Sequence, residues 1–433
     1  MINTATIKLW GNAIGVISWN DYTQIGNFEF DEKFIAQDLN VAPLKMPLSQ
    51  AKTNVFRFPT LARTNTFKGL PGLLADVLPD KYGNTLINAW LARHNRATNS
   101  LNPVEILCFI GSRGMGALEF EPANPISQKV ATNIEINQLV AIAGDILGGR
   151  QNFKTTIQKN SEKALVDILK IGTSAGGARA KAVIAFNPET KEVKSGQTNA
   201  PKGFTHWLIK FDGIEDEQFG ISKGFGRVEM AYYLMAKDCG IDMMECRLLE
   251  ENDRAHFMTR RFDRDPINGK VHIQSFCAMQ HYDFNDVGIY SYEQLFETMR
   301  ALRLPFNEAE QMFKRMVFNV LAKNCDDHTK NFAFMMSKQG KWSITPAYDI
   351  CYAYRPQSQW VSQQSLSING KRVGFNREDL MTVAQGISLK KGKQIINEIK
   401  ETVLNFNSYA QKTGIDMKLS NGILKTIKND IIE

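Results

Sequence analysis

Side chains that can exchange protons and bind metal ions are concentrated in the segment Lys323–Phe332, which reads Lys-Asn-Cys-Asp-Asp-His-Thr-Lys-Asn-Phe. So many polar groups between an apolar helix pattern and an apolar run are costly to bury unless they have a function. Asp326 precedes Asn331 by five positions, the spacing at which a kinase catalytic loop places its aspartate base and its magnesium-binding asparagine. The segment therefore predicts phosphoryl transfer, with Asp326 as the base and Asn331 as a metal ligand. A transition-metal site formed by Asp326 and His328 is the alternative.

A second acidic residue follows at the distance that a kinase requires. A turn is predicted at Lys338–Gly340, and the run Trp342–Ile350 is predicted to place Asp349 at the end of a strand. In kinases a β-hairpin separates the catalytic loop from the aspartate that bridges magnesium to the phosphates. Asp349 is thus the second expected magnesium ligand, although for this residue taken alone a cap or turn role would be the favoured interpretation.

A loop of small residues, Ile171–Lys181, is predicted to connect two β-like runs at 165–171 and 182–186. Gly176 and Gly177 lack a Cβ atom, so the backbone N–H groups of the loop can approach phosphate oxygens closely. The loop lacks the Gly-Lys-Ser/Thr ending of a Walker A motif. It fits a kinase-type lid over a nucleotide, or an ordinary hairpin turn.

Lys210 ends a β-rich run in which His206 and Leu208 share its face. A kinase lysine on such a strand binds the α- and β-phosphates of ATP and pairs with a glutamate of the next helix. That helix is predicted over 227–239, with Glu229 beside its buried stripe. Glu229 is the expected partner of Lys210, unless both charges face solvent.

Elements with clear periodicity must position these groups. The apolar residues within 312–321 predict an amphipathic helix, capped by Asn307 with Glu310. Short alternating runs at Ile7–Leu9, Phe28–Phe30 and Val55–Phe58 predict strands near the N-terminus.

The chain of 433 residues is long enough for two or three domains. We predict an α+β protein with a two-lobed, protein-kinase-like fold and an additional N-terminal α+β module. The predicted parts are the module at 1–125, a linker and leading helix at 126–149, a kinase-like small lobe with glycine-rich loop, lysine strand and hinge at 150–262, and a mainly helical C-terminal lobe with the catalytic loop at 263–433.

Composition narrows the class of protein only slightly. The net charge of +7 suggests anionic partners, but it is spread thinly over the length. Six cysteines show no paired short spacing, which argues against a zinc cluster and a secreted disulfide framework and favours reduced, buried thiols. With no basic segment leading into an apolar stretch at the N-terminus and no long apolar run, we expect a cytoplasmic protein without a membrane segment.

These motifs resemble those of the HipA family of serine/threonine kinases, the toxin members of bacterial toxin–antitoxin pairs, along nearly the full chain. The resemblance lies in seven stretches, of which the last three are the most specific: Phe67–Asp80, Gly114–Leu118, Gly172–Lys181, Trp207–Phe211, Arg260–Arg264, Asn324–Phe332 and Pro346–Ile350.

The resemblance implies ATP and Mg²⁺ as cofactors, with Asp326 as catalytic base and Asn331 and Asp349 as magnesium ligands. It implies autophosphorylation at Ser174, where added negative charge would repel the ATP phosphates. Ala180 stands where many relatives carry proline. The nucleotide site would comprise Gly176, Gly177, Ala178, Arg179, Ala180, Lys181, Lys210, Glu229, the adenine-side residues Arg260, Arg261 and Phe262, and His328, Lys330, Asn331, Tyr348 and Asp349.

The resemblance also implies biological partners. A HipB-like helix-turn-helix antitoxin would neutralise the kinase and contact operator DNA, and the substrate would be a protein such as an aminoacyl-tRNA synthetase. Two other functions stay open at this point. The chain could be a catalytically silent corepressor within a toxin–antitoxin complex, or a kinase for small molecules.

Overall fold

The computed structural model describes residues 2–123, 135–147, 172, 179–196, 200–216, 220–221, 223–265, 269–430 and 432. Most of the predicted linker, the run 165–171 and most of the glycine-rich loop, including Ser174, Gly176, Gly177 and Ala178, lie outside the described residues. The chain forms two compact units: the first comprises 1–42, 46–226 and 247–273, and the second comprises 43–45, 227–246 and 274–433.

The first unit begins with a four-stranded antiparallel sheet of strand order β3-β2-β1-β4. Its strands are β1 (Thr4–Leu9), β2 (Asn12–Asn20), β3 (Ile25–Phe30) and β4 (Leu118–Glu121). Two of the predicted runs are therefore confirmed as strands. The prediction for Val55–Phe58 is wrong, because only Phe56 forms a bridge, with Phe28. Pro59 follows at once and opens a 3₁₀ helix, Pro59–Leu61, since its ring fixes φ and its nitrogen cannot donate to a sheet.

Six helices of the first unit are described: α1 (Glu32–Ile35), α2 (Leu48–Ala51), α3 (Gly72–Ala75), α4 (Lys81–Arg93), α5 (Pro103–Ile110) and α6 (Ile136–Leu147). Helix α5 begins with a capping box, in which the side chains of Asn102 and Glu105 each accept a hydrogen bond from the other's backbone N–H. Two orphan donors at the start of a buried helix are thereby satisfied.

The second sheet of the first unit has the strand order β10-β11-β7-β5-β6. The strands in this part of the chain are β5 (Lys181–Phe186), β6 (Val193–Ser195), β7 (Thr205–Lys210), β8 (Glu215–Asp216), β9 (Gly220–Ile221), β10 (Cys246–Glu251), β11 (Arg254–Arg260), β12 (Arg264–Asp265) and β13 (Gly269–Lys270), with β8–β9 and β12–β13 forming separate hairpins. One face of the sheet, with Ile184, Trp207 and Ile209, is buried in a core with Tyr82 of α4 and Leu139 of α6. His206, Leu208 and Lys210 of β7 project from the opposite face, on which Val183 and Ala185 of β5 are also buried.

The second unit is mainly helical. Its helices are α7 (Phe225–Asp238), α8 (Phe276–Gln280), α9 (Tyr292–Ala301), α10 (Phe306–Leu321), α11 (Arg377–Gly386), α12 (Gly392–Leu404), α13 (Phe406–Thr413) and α14 (Met417–Asn429), of which α7 begins just before the boundary between the units. Its strands are β14 (His272–Ser275), β15 (Ala333–Met336) and β16 (Trp342–Ile344), of which β15 and β16 form a hairpin. The boundary between the two units falls within β14, after Ile273.

Helix α10 leads into the candidate catalytic segment. Its predicted apolar stripe is confirmed, because Met312, Phe313 and Met316 are fully buried, and it packs against α12. The predicted cap is wrong: Pro305 occupies the N-cap position and makes no side-chain cap bond, so the helix already begins at Phe306. Proline is compatible with a helix start because its missing N–H costs nothing there.

None of the helices in the described part of the chain has the length and hydropathy needed to span a bilayer. All six cysteines are free thiols, and five of them are buried. Burial raises the pKa of the Cys325 thiol, next to the candidate base, to about 12, so this thiol is protonated near neutral pH and a poor nucleophile.

Candidate active site

The predicted catalytic segment lies between helix α10 and strand β15, two elements with buried side chains on either side of it. Asn324 forms a parallel bridge with Ala353, and the Cys325 N–H donates to the Ala353 carbonyl oxygen at 3.0 Å. The segment ends in a 3₁₀ turn, Thr329–Asn331. It is thus held at both ends and along its length by main-chain bonds.

Asp326 and Asn331 contact each other within this segment. The Nδ2 atom of Asn331 donates to the main-chain oxygen of Asp326 at 2.6 Å, which leaves Oδ1 as the acceptor end of the amide. Asn331 and Asp349 line the same cavity of about 10 Å³, room for one water molecule or an ion of similar size. Amide and carboxylate oxygens are the ligands that Mg²⁺ prefers. The donor set therefore fits a magnesium ion held by these two residues.

Asp349 has an unusual backbone conformation. Strand β16 ends at Ile344, so the prediction that Asp349 ends a strand is wrong. Beyond the strand, the Ala347 N–H donates to the Asp242 carbonyl oxygen at 2.8 Å. Asp349, two residues later, has φ +51°. A residue with a Cβ atom pays about 1–2 kcal/mol in the left-handed region, a conformation that persists where the surrounding structure imposes it.

A neighbouring hydrogen bond links this part of the chain to the candidate catalytic segment. The hydroxyl group of Tyr348 donates to the Lys330 carbonyl oxygen at 2.7 Å. The side chain of Tyr348, predicted to contact nucleotide, therefore ties the two candidate metal-ligand segments together.

The Asp326 carboxylate is half exposed, with 51% of the side chain accessible, and it lies 3.8 Å from Nε2 of His328. Phe284, which no sequence pattern singles out, packs its ring 5.2 Å from the His328 ring and 4.9 Å from Nζ of Lys330. An exposed carboxylate beside an aromatic and cationic border can receive a substrate hydroxyl group. Among the described residues, no group of three or more His, Cys, Asp and Glu side chains could hold a metal ion, which disfavours the transition-metal alternative.

Asp327, by contrast, faces the interior and is 1% exposed. Its carboxylate accepts the hydroxyl proton of Tyr292 at 2.7 Å and the N–H of Ser365 at 2.6 Å. Burial raises the pKa of Asp327 to about 7, although both bonds counteract the rise. The sequence offers no means of telling this aspartate from its neighbour Asp326.

In the first unit, Lys181 of β5 and Lys210 of β7 are directly opposite each other across the two strands. Opposite residues project from the same face of a sheet, and Trp207 and Ile209 are buried on the other face, which confirms the predicted alternation. The two lysines thus belong to one face of the sheet, and Lys181 is buried there.

The same face continues with mainly apolar side chains. Val183 is opposite Leu208, and Ala185 is opposite His206. Val183 and Ala185 are fully buried. Burial lowers the pKa of His206 to about 4, so its ring is neutral near pH 7 and adds no charge to this face.

The predicted glycine-rich segment has described residues at its two ends. A Cβ atom on Gly172 would lie 2.6 Å from Cδ1 of Leu86, so a larger residue there would require the Leu86 side chain to shift. Arg179 lies with its guanidinium carbon 4.8 Å from the Phe225 ring centroid. Ala180 is buried, and its carbonyl oxygen accepts from the Phe211 N–H at 3.1 Å.

The predicted adenine-side segment contains a buried ion-pair cluster. Arg261 donates to the two carboxylate oxygens of Asp263 at 2.8 and 2.6 Å, and Arg264 donates to Asp263 at 2.7 Å. The Gly116 N–H also donates to Asp263 at 2.7 Å, and the carbonyl oxygen of Gly116 accepts a hydrogen bond from Arg264. The Arg261 guanidinium is therefore engaged by Asp263, and its contact with a nucleotide stays a prediction. The cluster joins the stretches Arg260–Arg264 and Gly114–Leu118, which sequence reasoning had treated separately.

The remaining predicted residues occupy separate places. Arg260 ends β11 opposite Trp207, and Phe262 follows it in a turn. Glu229 is buried on α7, whose stripe of Val228, Ala231 and Met235 is confirmed as buried. Glu229 belongs to the second unit and Lys210 to the first, so their pairing stays a prediction.

Comparison with known proteins gives the class to which this fold and site belong. Residues 5–121 match the HipA N-terminal domain, and residues 173–406 match the HipA-like C-terminal domain. The chain belongs to the HipA family. The HipA chain of the Shewanella oneidensis MR-1 complex of HipA, HipB and operator DNA superimposes with a TM-score of 0.68 at 16% identity, covering 98% of this chain and 95% of that one. The predicted mixed α+β, kinase-like fold with an N-terminal module is confirmed.

Two curated relatives come from Sinorhizobium fredii. "Putative kinase Y4dM" is 23% identical over 257 residues, 54% of this chain and 59% of that protein. "Putative kinase Y4mE" is 24% identical over 125 residues, 27% of this chain and 30% of that protein. The chain thus spans about three fifths and about a third of the length of these relatives.

Proposed function

We propose that the chain is an ATP- and magnesium-dependent protein kinase that phosphorylates a serine or threonine hydroxyl group, as the toxin of a HipBA-type pair. The observation that carries the proposal is the Asn331–Asp326 hydrogen bond of 2.6 Å, with Asp349 on the same cavity. Asp326, Asn331 and Asp349 are the three positions that the sequence spacing selects, and they would supply the base, the amide ligand and the carboxylate ligand of a kinase.

The residues divide the work of transfer between them. ATP with magnesium supplies the phosphoryl group when bound. Asp326 accepts the proton of the attacking hydroxyl group, and Asn331 and Asp349 hold the magnesium ion. Lys181 and Lys210 would neutralise phosphate charge. Asp326 is exposed enough to meet a hydroxyl group presented by a macromolecule.

The wider biological role is part of the proposal. A HipB-like helix-turn-helix antitoxin binds and neutralises the kinase and carries it to operator DNA, as the composition of the Shewanella oneidensis complex suggests. Phosphorylation of a translation enzyme, such as an aminoacyl-tRNA synthetase, inhibits growth. Autophosphorylation at Ser174 inactivates the kinase, because a phosphate in the glycine-rich loop repels those of ATP.

The test is incubation of the purified chain with magnesium and ATP radiolabelled at the γ-phosphate. We expect label on the chain, which mass spectrometry maps to Ser174, and none in Asp326→Gln. Ser174→Ala should lose self-labelling but still bind nucleotide. Absence of both nucleotide binding and labelling in the wild type would refute the kinase.

Induction in cells distinguishes a toxin that acts by catalysis from a silent corepressor. Wild-type chain should slow growth and add phosphate to a specific protein, and Asp326→Gln should do neither. Equal growth inhibition by Asp326→Gln would favour a binding function. Labelled small molecules in place of labelled protein would favour a small-molecule kinase.

A further inference from the structure

A row of buried hydrogen bonds runs through the second unit and ends at Asp327. The Nδ2 atom of Asn324 donates to Oδ1 of Asn319 at 2.9 Å, and Nδ2 of Asn319 donates to the Tyr292 hydroxyl oxygen at 3.0 Å. The Tyr292 hydroxyl group donates in turn to Oδ2 of Asp327 at 2.7 Å. Every donor in the row points towards Asp327, which as a carboxylate can only accept.

The other carboxylate oxygen holds a second element. Oδ1 of Asp327 accepts the Ser365 N–H at 2.6 Å, and the Ser365 hydroxyl group donates to the Cys325 carbonyl oxygen at 3.1 Å. The side chain of Gln364 donates to the Asn319 carbonyl oxygen at 3.0 Å. The segment 364–365 is therefore bonded to the catalytic segment on both sides of Asp326 and to helix α10.

We propose that Asp327 is the positioning residue of the catalytic segment, because its carboxylate fastens that segment to helix α9 and to residues 364–365. The inference rests on the proposed kinase function. Asp326 is the preceding residue, and its main-chain oxygen accepts the bond from Asn331. A shift at Asp327 is thus transmitted directly to the base and to the metal ligand, and displacement of about 1 Å in such groups reduces turnover by about 10²-fold.

Asp327→Asn is the most informative variant because it keeps size and shape and changes one acceptor into a donor. The new NH₂ group must face either the Ser365 N–H or the Tyr292 O–H, and both already donate to position 327. We expect kcat to fall by about 10²-fold, while the Kd for ADP with magnesium changes by less than about threefold. Such a split between turnover and affinity is the signature of misplaced groups in a folded site.

Tyr292→Phe removes one of the two donors and leaves the other in place. We expect it to lower kcat by about tenfold. In the double variant, the amide introduced at position 327 can turn its NH₂ group towards the phenyl ring at position 292 and keep the Ser365 bond with its oxygen. The double variant should therefore be no worse than Asp327→Asn alone, whereas independent effects would multiply to about 10³-fold.

Asp379→Asn is the matched control for loss of a buried carboxylate in the same unit. Asp379 is 2% exposed and accepts from the Asn376 N–H and from Lys371, far along the chain from the catalytic segment. It should keep wild-type kcat. Turnover of Asp327→Asn within about threefold of wild type, or multiplicative effects of the two variants, would overturn the proposal.

Amide hydrogen exchange separates this inference from the proposed function. In Asp327→Asn, the amides of 324–331 should exchange about tenfold faster than in the wild type, and the amides of α11 should exchange at the wild-type rate. This expectation holds whether or not the wild type transfers phosphate. If the wild type shows no transfer, the kinase proposal fails, and unchanged exchange at 324–331 would separately overturn the anchoring role. If Asp327→Asn does not fold, exchange and turnover of Tyr292→Phe decide the same question.

Discussion

Replacing Asp263 with alanine should destabilise the first unit by about 3–5 kcal/mol, the usual cost of removing one partner of a buried ion pair. The Asp263 side chain is fully buried, and those of Arg261 and Arg264 are 1% and 11% exposed. The substitution removes an acceptor of four bonds between 2.6 and 2.8 Å. It leaves the Arg261 guanidinium buried without a counter-charge, which accounts for most of the expected loss.

The matched control is an exposed ion pair of the same unit. Lys8 and Glu121 lie 2.8 Å apart, with side chains 29% and 51% exposed, and Glu121→Ala should cost less than about 1 kcal/mol. Urea unfolding followed by intrinsic fluorescence suits the comparison, because Trp10, Trp19, Trp90 and Trp207 report on this unit. An Asp263→Ala variant within about 1 kcal/mol of wild type would refute the reasoning.

Acid should remove the contribution of Asp263. Burial alone would raise the pKa of this carboxyl group, but the charges of Arg261 and Arg264 hold it well below its usual range. A lowered pKa in the folded state means that the stabilisation is present above the unfolded pKa of about 4 and is lost as pH falls through the folded value. The stability difference between wild type and Asp263→Asn should be constant from about pH 5 to 8 and shrink below about pH 4.

Three further predictions concern the candidate site. Because burial raises the pKa of Asp327 to about 7 while the bonds from Tyr292 and Ser365 favour its ionised form, Tyr292→Phe should raise that pKa further, measured by NMR titration of the carboxyl group; an unchanged or lowered pKa would contradict it. Lys181→Met and Lys210→Met should each weaken ATP–magnesium binding by about tenfold in calorimetry, and Lys52→Met at an exposed position that ends α2 should not; equal losses in all three would indicate a general charge effect. Asn331→Ala should raise the magnesium concentration for half-maximal transfer by about tenfold or more, and an unchanged magnesium requirement would exclude it as a ligand.

The sequence predicted those helices and strands whose apolar residues recur at a regular spacing. The period of 3.6 residues in α7 and α10 and the alternation in β7 follow from the need to bury one face, so they are readable along the chain. The start of α10 was mispredicted because Asn307 and Glu310 have the composition of a cap, whereas Pro305 sets the entry of the chain. Cap residue types recur often, and only the actual backbone angles decide among them.

The sequence spacing singles out the candidate site residues but not the contacts that hold them in place. The spacing of Asp326 and Asn331 selects two residues that the fold places within hydrogen-bonding distance. The left-handed conformation of Asp349 depends on bonds from other parts of the chain. The burial of Asp327 depends on Tyr292 and Ser365, 35 and 38 positions away. Such long-range contacts leave no periodic trace in a single sequence.

The proposed role of Asp326 as the base of a phosphoryl transfer is tested by the initial rate of transfer from γ-labelled ATP. This rate is compared between wild type and Asp326→Asn, with ADP–magnesium affinity and urea unfolding measured on both. We expect a rate lower by about 10²-fold or more in Asp326→Asn, with unchanged affinity and stability. Equal rates in the two proteins, or no transfer by a wild type that is folded, would contradict it.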